Sequence, residues 1–280
     1  MNKTTQSATA LITAISLVLV LVIFAGWLYY TQKTKQTKTK SGLTVNLKDD
    51  SSYPKIEKYQ VPVLMYHYIR DASGEDALGK SLSVTPQSFE QQMRWLKDND
   101  FVTISVSDLA DIERVQLSKV NGDGYRPVVI TFDDGYDDAY NAAFPVLKKF
   151  GFTGTFFIIS GDIGMPGYLN QDQINALRKA GNEIGSHTVT HPNLTNLSSS
   201  NVTEELVNSK DDTRVFCYPS GVYNDRVKDL VKDAGYVAAV TTKSGIATEN
   251  TKLFDIPRVR IKNVSIEDFA KGIEDALESK

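Results

Sequence analysis

The chain has 280 residues, with 31 Lys and Arg against 34 Asp and Glu and a formal net charge of −3. That balance, with no basic stripe, excludes nucleic-acid binding driven by charge. A single cysteine, Cys217, excludes an intrachain disulfide.

Residues 1–7 are a short N-terminal segment. From Ala8 to Tyr30 an apolar run carries no charged residue, long enough to cross a bilayer core of about 30 Å as a helix. Trp27, Tyr29 and Tyr30 sit at its end, as interfacial aromatics do. We read 8–30 as an uncleaved transmembrane anchor; a secretory leader would be shorter and end in a small-x-small cleavage site. Lys33, Lys35, Lys38 and Lys40 follow the run and only Lys3 precedes it. That count alone would hold the following domain in the cytoplasm, whereas the chemistry below favours a single-pass cell-membrane protein with an extracellular catalytic domain. Residues 31–58, rich in Lys, Thr, Ser and Asp, read as a flexible linker. Residues 59–280 suffice for one domain with a full core.

Within that domain, Val61–Met65 reads as a strand. Thr85 and Pro86 open a helix as N-cap and first residue, with Phe89, Met93, Trp95 and Leu96 as its apolar face. Phe101–Ile104 reads as a strand, Ser107 as the cap of a short helix through Leu109 and Ile112, and Gly122-Asp123-Gly124 as a turn. Val128–Phe132 is apolar throughout, as a buried parallel strand should be. A helix is expected from Asp137 to Phe150, closed by Gly151, then a strand at Thr155–Ile159. A helix at Gln171–Ala180 stops at Gly181, and Glu183–Gly185 resumes extended structure. Then come a helix at Val202–Ser209, a strand at Val215–Tyr218, a helix at Asp225–Ala234 and a strand at Tyr236–Val240. Ile256–Ile261 is the last strand, and Ser265 with Asp268 caps a terminal helix to Leu277. This alternation predicts parallel βαβ units. The fold expected is α/β, a distorted (β/α) barrel of about seven parallel strands, preceded by the transmembrane helix. In such barrels the strand C-termini build the active site.

The chemistry-bearing residues fall at those termini. The chain has three histidines. His67 ends the run Val61–His67, and His187 and His191 lie in Ser186-His187-Thr188-Val189-Thr190-His191. Asp133-Asp134-Gly135 follows the buried strand. Taken singly, each has a plainer explanation: a core histidine, a weak His-x₃-His pair, an acidic helix N-terminus. Four separate strand ends presenting such groups to one barrel mouth argue for function. Two imidazoles and a carboxylate make a three-ligand metal site with open positions. The other carboxylate and the third imidazole are left to move protons, so the chemistry expected is metal-assisted hydrolysis of an acyl or amide bond.

On these residues the chain resembles the polysaccharide deacetylases of carbohydrate esterase family 4, with the NodB homology domain, over roughly Val61 to Ile261. Thr131-Phe132-Asp133-Asp134-Gly135 is similar to the family's first motif, and Ser186–His191 to its second. The resemblance implies Asp133 as catalytic base and Asp134, His187 and His191 as ligands of a divalent metal, Zn foremost, with Co, Ni, Mn or Fe also accommodated. Phe216-Cys217-Tyr218-Pro219-Ser220-Gly221 stands where a third motif lines the groove, implying Tyr218, Pro219 and Ser220 as groove residues and the Ser220 amide as oxyanion donor. The family's arginine partner of the base is here Cys217; Arg258, or Arg260, is expected to supply that charge instead. Leu64-Met65-Tyr66-His67 resembles the permuted branch that includes poly-N-acetylglucosamine deacetylases, which implies His67 as general acid. The implied reaction is N-deacetylation of N-acetylglucosamine in a cell-surface polysaccharide. Peptidoglycan N-acetylglucosamine or N-acetylmuramic acid, chitooligosaccharides, or a non-catalytic glycan-binding role are the alternatives.

Overall fold

The computed structural model describes residues 59–112 and 126–278. The anchor at 8–30, the linker at 31–58 and the turn at Gly122–Gly124 lie outside the described residues. Among the described residues no helix is long and apolar enough to cross a membrane.

In chain order the strands are β1 (Gln60–Val61), β2 (Val63–Tyr66), β3 (Tyr68–Ile69), β4 (Ser83–Val84), β5 (Phe101–Thr103) and β6 (Arg126–Phe132), followed by β7 (Thr155–Ile158), β8 (Glu183–Ser186), β9 (Val215–Cys217), β10 (Ala238–Ser244), β11 (Ala247–Thr248) and β12 (Ile256–Arg260). Seven of them close a parallel barrel in the order β2-β12-β10-β9-β8-β7-β6. The ring is sealed where Val63–Tyr66 pair with Val129–Phe132. The first barrel strand therefore lies between β12 and β6, which brings His67 to the same mouth as Asp133. β5 adds beside the N-terminal half of β6; the short pairs β1–β11 and β3–β4 lie outside the ring.

Strand periodicity decides what each residue faces. In β6, Val128, Ile130 and Phe132 pack with the helix residues Phe89, Met93 and Leu96. Val129, of opposite parity, joins Val63, Phe157, Val215, Cys217, Val240 and Ile256 in a separate cluster inside the barrel. Thr131 and Asp133 share that inward parity, as does Arg258 two residues after Ile256. The polar centre is thus a continuation of the barrel's inner core toward its mouth.

Several expected boundaries move, each for a local reason. Ser105, not Ser107, caps the helix Val106–Ala110: its Oγ accepts from Asp108 N at 3.0 Å while Asp108 accepts from Ser105 N at 2.9 Å. Ser107 lies in the first turn, where its N–H and that of Val106 go to the Glu183 carboxylate. The helix expected from Asp137 begins as a π turn at Ala139–Ala143 before the α-helix Phe144–Phe150. Pro145 has no N–H for the Asn141 carbonyl, and a widened turn absorbs the missing bond. Strand β10 starts at Ala238 because Tyr236 and Val237 belong to the turn after left-handed Gly235. The Thr85 cap with Pro86 stands as expected: Thr85 Oγ1 accepts from Ser88 N at 3.2 Å. β3, β4 and the helix Ala77–Leu82 were not expected, because their stretch carries no apolar periodicity.

Candidate active site and metal centre

Asp133 leaves β6 pointing into the barrel and is 3% exposed. Its carboxylate takes a two-pronged grip from Arg258, Nη1 to Oδ1 and Nη2 to Oδ2, both 2.7 Å. Arg258 is fully buried, and its other donors are spoken for: Nε donates to the Thr241 carbonyl at 2.7 Å and Nη1 to Thr131 Oγ1 at 3.0 Å. Burial pushes the Asp133 carboxyl up, but the facing guanidinium outweighs it and holds the group well below the usual carboxylate range. Arg258 therefore supplies the charge expected from it. Arg260, at the exposed end of β12, does not.

The chain then turns sharply. Asp134 (φ 71°) and Gly135 (φ 80°) are both left-handed. This reversal is how neighbouring aspartates come to face one pocket, which a regular strand forbids. Six non-glycine residues among those described adopt positive φ, and four of them, Asp134, Thr188, His191 and Ser220, stand at this mouth. Left-handed backbone costs about 1–2 kcal/mol per such residue; its concentration here marks conformations held for the site.

Asp134 Oδ1 lies 3.2 Å from His187 Nε2 and 3.7 Å from His191 Nε2. The three ligand atoms all lie within 4.8 Å of one another. Donors about 2.0–2.1 Å from one tetrahedral ion would sit roughly 3.3 Å apart, so the spacing fits. The tautomer fits as well. His187 Nδ1 is 2.7 Å from the Cys217 carbonyl, which fixes a proton on Nδ1 and makes Nε2 the atom that would face an ion. Against burial, the Cys217 and Asp134 groups hold the imidazole well above the usual histidine range, and an ion would displace the Nε2 proton that points at Asp134. Burial raises the Asp134 carboxyl, yet His187 beside it outweighs this and lowers it. A second trio, Asp133, His187 and Cys217, is also close enough to hold an ion, but it does not fit one. Both Asp133 oxygens are committed to Arg258, and burial pushes the Cys217 thiol up, keeping it protonated.

His67 Nε2 stands 3.8 Å from Asp133 Oδ2. Burial lowers its imidazole below the usual histidine range against the pull of Asp133 and Asp134. Of the three expected groove residues, only Ser220 is exposed. Tyr218 is fully buried, its ring stacked 4.3 Å from Tyr223 and its hydroxyl on the Phe254 carbonyl. Tyr218 and Pro219 therefore support the turn, and Ser220 is the exposed member of the segment, just past the C-terminal end of β9. Gly221 (φ +69°) is obligatory there: a Cβ would stand 1.9 Å from Thr242 Oγ1.

Sequence reasoning missed Thr131, Thr241 and the Cys217 carbonyl, which orient the charged groups. Only Thr131 carried a signal, its position two residues before Asp133 on the same strand face. An aromatic ladder was missed too. Arg70 covers Tyr68 at 3.6 Å, Tyr68 stacks on Tyr136 at 4.0 Å, and Tyr136 meets Tyr168 at 5.1 Å. Tyr136, the middle ring of the ladder, directly follows Gly135 and so lies two residues after the candidate ligand Asp134.

The family model described as polysaccharide deacetylase matches residues 121–239, which carry both the aspartate pair and the histidine pair. Over 241 residues the chain is 34% identical to YxkH of Bacillus subtilis (strain 168), a protein named as a polysaccharide deacetylase, covering 82% of each. The chain belongs to the polysaccharide deacetylase family. It is also 29% identical over 262 residues to a poly-beta-1,6-N-acetyl-D-glucosamine N-deacetylase of Staphylococcus aureus (strain MSSA476), covering 81% of this chain and 87% of that one. Among solved structures, Streptococcus pyogenes deacetylase PplD in complex with acetate superposes with a TM-score of 0.68 at 32% identity, covering 76% of this chain and 97% of PplD. As a polysaccharide deacetylase, then, the chain keeps the acidic and histidine motifs, and it holds Asp133 with an arginine from β12.

Proposed function

We propose that this polysaccharide deacetylase removes acetyl groups from N-acetylglucosamine residues of a cell-surface, poly-N-acetylglucosamine-type polymer by metal-dependent amide hydrolysis. The observation that carries the reading is the division of the two aspartates. Asp134 faces the two histidines, while Asp133 stays outside that trio, held ionised by Arg258. The similarity to the Staphylococcus aureus N-deacetylase favours this substrate. Acetate, found in the PplD complex, is the acid such a reaction releases.

Asp134, His187 and His191 would hold the divalent ion, Zn first by its donor set, which when bound supplies Lewis-acid polarisation of the acetamide carbonyl. Asp133 takes the proton of the attacking water. The exposed Ser220 amide is the candidate donor to the oxyanion. His67 gives a proton to the departing sugar amine; its lowered pKa makes it the stronger acid once protonated. Arg258 keeps the base charged and aimed.

The test is acetate release from acetylated glucosamine oligomers by a soluble protein starting near residue 59. Turnover is expected to rise with oligomer length, to vanish after chelation and to return with Zn. Turnover that survives complete metal removal would rule the mechanism out. Mass analysis of acetylated peptidoglycan fragments treated in parallel separates the substrates. We also propose that residues 8–30 anchor the enzyme with its catalytic domain outside the cell, because the product, a cationic glucosamine, alters envelope charge only there. Protease added to intact cells should then degrade the domain; full protection would refute this orientation.

A further inference from the structure

The loop that delivers both histidines is held on one side by Ser160 N and Gly161 N, which donate to the Thr188 and Val189 carbonyls at 3.0 and 2.9 Å, and on the other by a single carboxylate. Thr188 (φ 68°) and His191 (φ 54°) are left-handed and bracket Val189 and Thr190. A cleft of about 280 Å³, lined in part by Val189, Thr190, Pro192, Leu197 and Glu205, lies against the loop and leaves that side without close packing. One carboxylate fills the role that packing would otherwise take. Glu205 Oε2 accepts from Val189 N at 2.7 Å and Thr190 N at 3.0 Å, and Glu205 Oε1 accepts from Thr190 Oγ1 at 2.7 Å.

The carboxylate stands on a fixed base. Glu205 belongs to the helix Ser199–Asn208, whose Val202 and Leu206 are fully buried against Leu194, Phe216 and Tyr218. Just past the helix, Ser209 Oγ is 2.8 Å from Ser186 Oγ at the end of β8. Glu205 forms no ion pair among the described residues, so backbone and hydroxyl dipoles alone meet its charge. The two imidazoles differ in what holds them. His187 is buried and pinned by the Cys217 carbonyl. The His191 side chain is 32% exposed, and its position follows from the path of the loop.

We infer that Glu205 is a positioning residue for the metal centre, acting through the Val189 and Thr190 amides to aim His191 Nε2 at the ion. This rests on the reading of Asp134, His187 and His191 as metal ligands. Outer groups that orient ligands typically change metal affinity about 10–100-fold when lost, and Glu205→Ala removes three bonds to the ligand loop at once. Glu205→Gln retains most of the clamp: its carbonyl can take both amides, and the Thr190 hydroxyl can turn to accept from its –NH₂.

The experiment is Zn titration calorimetry on metal-stripped soluble domain, with melting curves of the metal-free proteins alongside. Glu205→Ala should raise the Zn Kd about 10–100-fold, Glu205→Gln only a few-fold, and saturating Zn should return kcat of the Ala variant toward wild type. A folded Ala variant that binds Zn as tightly as wild type overturns the inference. So does an Ala variant with normal affinity that only melts earlier. Should it fail to fold, Thr190→Val, which deletes one of the three donors, carries the test with a several-fold rise in Kd expected; an unchanged Kd there overturns it equally. His187→Ala separates the two claims. If wild type binds no Zn, or His187→Ala binds it normally, the metal reading fails; if His187→Ala loses Zn and Glu205→Ala does not, only the role of Glu205 fails.

Discussion

Arg258→Met should cost about 3–5 kcal/mol of folding stability at neutral pH, because it leaves the Asp133 carboxylate buried without its counter-charge. Met keeps the apolar stem but ends short of the guanidinium nitrogens, so the penalty combines the orphaned charge with the bonds lost at Thr241 and Thr131. In the native protein the Asp133 carboxyl sits below its unfolded value. Its stabilising contribution is therefore fully present above an unfolded pKa of about 3.9, and it is lost as pH falls through the lower folded value. Without Arg258 the sign reverses. Burial, the largest influence on Asp133, then raises the carboxyl above its unfolded value, and the variant recovers stability relative to wild type as pH falls through that raised value. Urea unfolding at pH 7 and pH 5 checks the variant's recovery, and a further point at pH 3, below the unfolded value of about 3.9, checks the loss in wild type. A Met variant within about 1 kcal/mol of wild type at pH 7 would show that the pair matters little, as exposed pairs do. Arg258→Lys should recover only part of the stability, since a point charge cannot reproduce the fork on Oδ1 and Oδ2 or the bond to Thr241.

Arg258 also marks where the sequence stops being legible. The barrel could be read because most of its strands contain a short apolar run bounded by helix caps and glycines, β8 (Glu183–Ser186) being the exception. Val128–Phe132 and Thr155–Ile159 can be nothing but buried strands at that length. The clustering of Asp134, His187 and His191 could be read because they belong to motifs whose spacing is local: two adjacent aspartates, two histidines four apart. Arg258 to Asp133 is a contact across 125 positions, and nothing local distinguishes Arg258 from Arg260. Ring closure of β2 between β12 and β6, together with depth along β12, settles the choice: both arginines share the parity of Ile256, but Arg258 is buried against Asp133 while Arg260 is exposed at the strand end. Tyr218 shows the opposite failure. It lies in the groove-lining segment, but alternation at the end of β9 sends its ring outward into the Phe216 cluster. Glu205 and Cys217 act through a carboxylate on a distant helix and a main-chain carbonyl, neither of which a motif can encode.

Asp133→Asn should lower kcat by about 10²–10⁴-fold, the range expected for loss of a positioned general base, while Zn affinity stays near wild type because Asp133 is not among the three ligands. His187→Ala should lose both. The contrast is informative because the aspartates are adjacent in sequence and differ only in what they face. Asn is nearly isosteric but neutral, so Arg258 becomes the unpaired buried charge, and part of any loss could come from a shifted pocket. A double variant resolves this. If Arg258 acts only by keeping Asp133 ionised and aimed, Asp133→Asn combined with Arg258→Met should be no slower than Asp133→Asn alone, since groups acting as one unit are strongly non-additive. Its stability should exceed that of Arg258→Met alone, because neither partner then leaves a bare charge behind. An Asp133→Asn enzyme turning over within about threefold of wild type, well short of a general base's expected share, would remove Asp133 as the base. Fully additive rate losses in the double variant would show that Arg258 reaches the reacting atoms by a route other than Asp133.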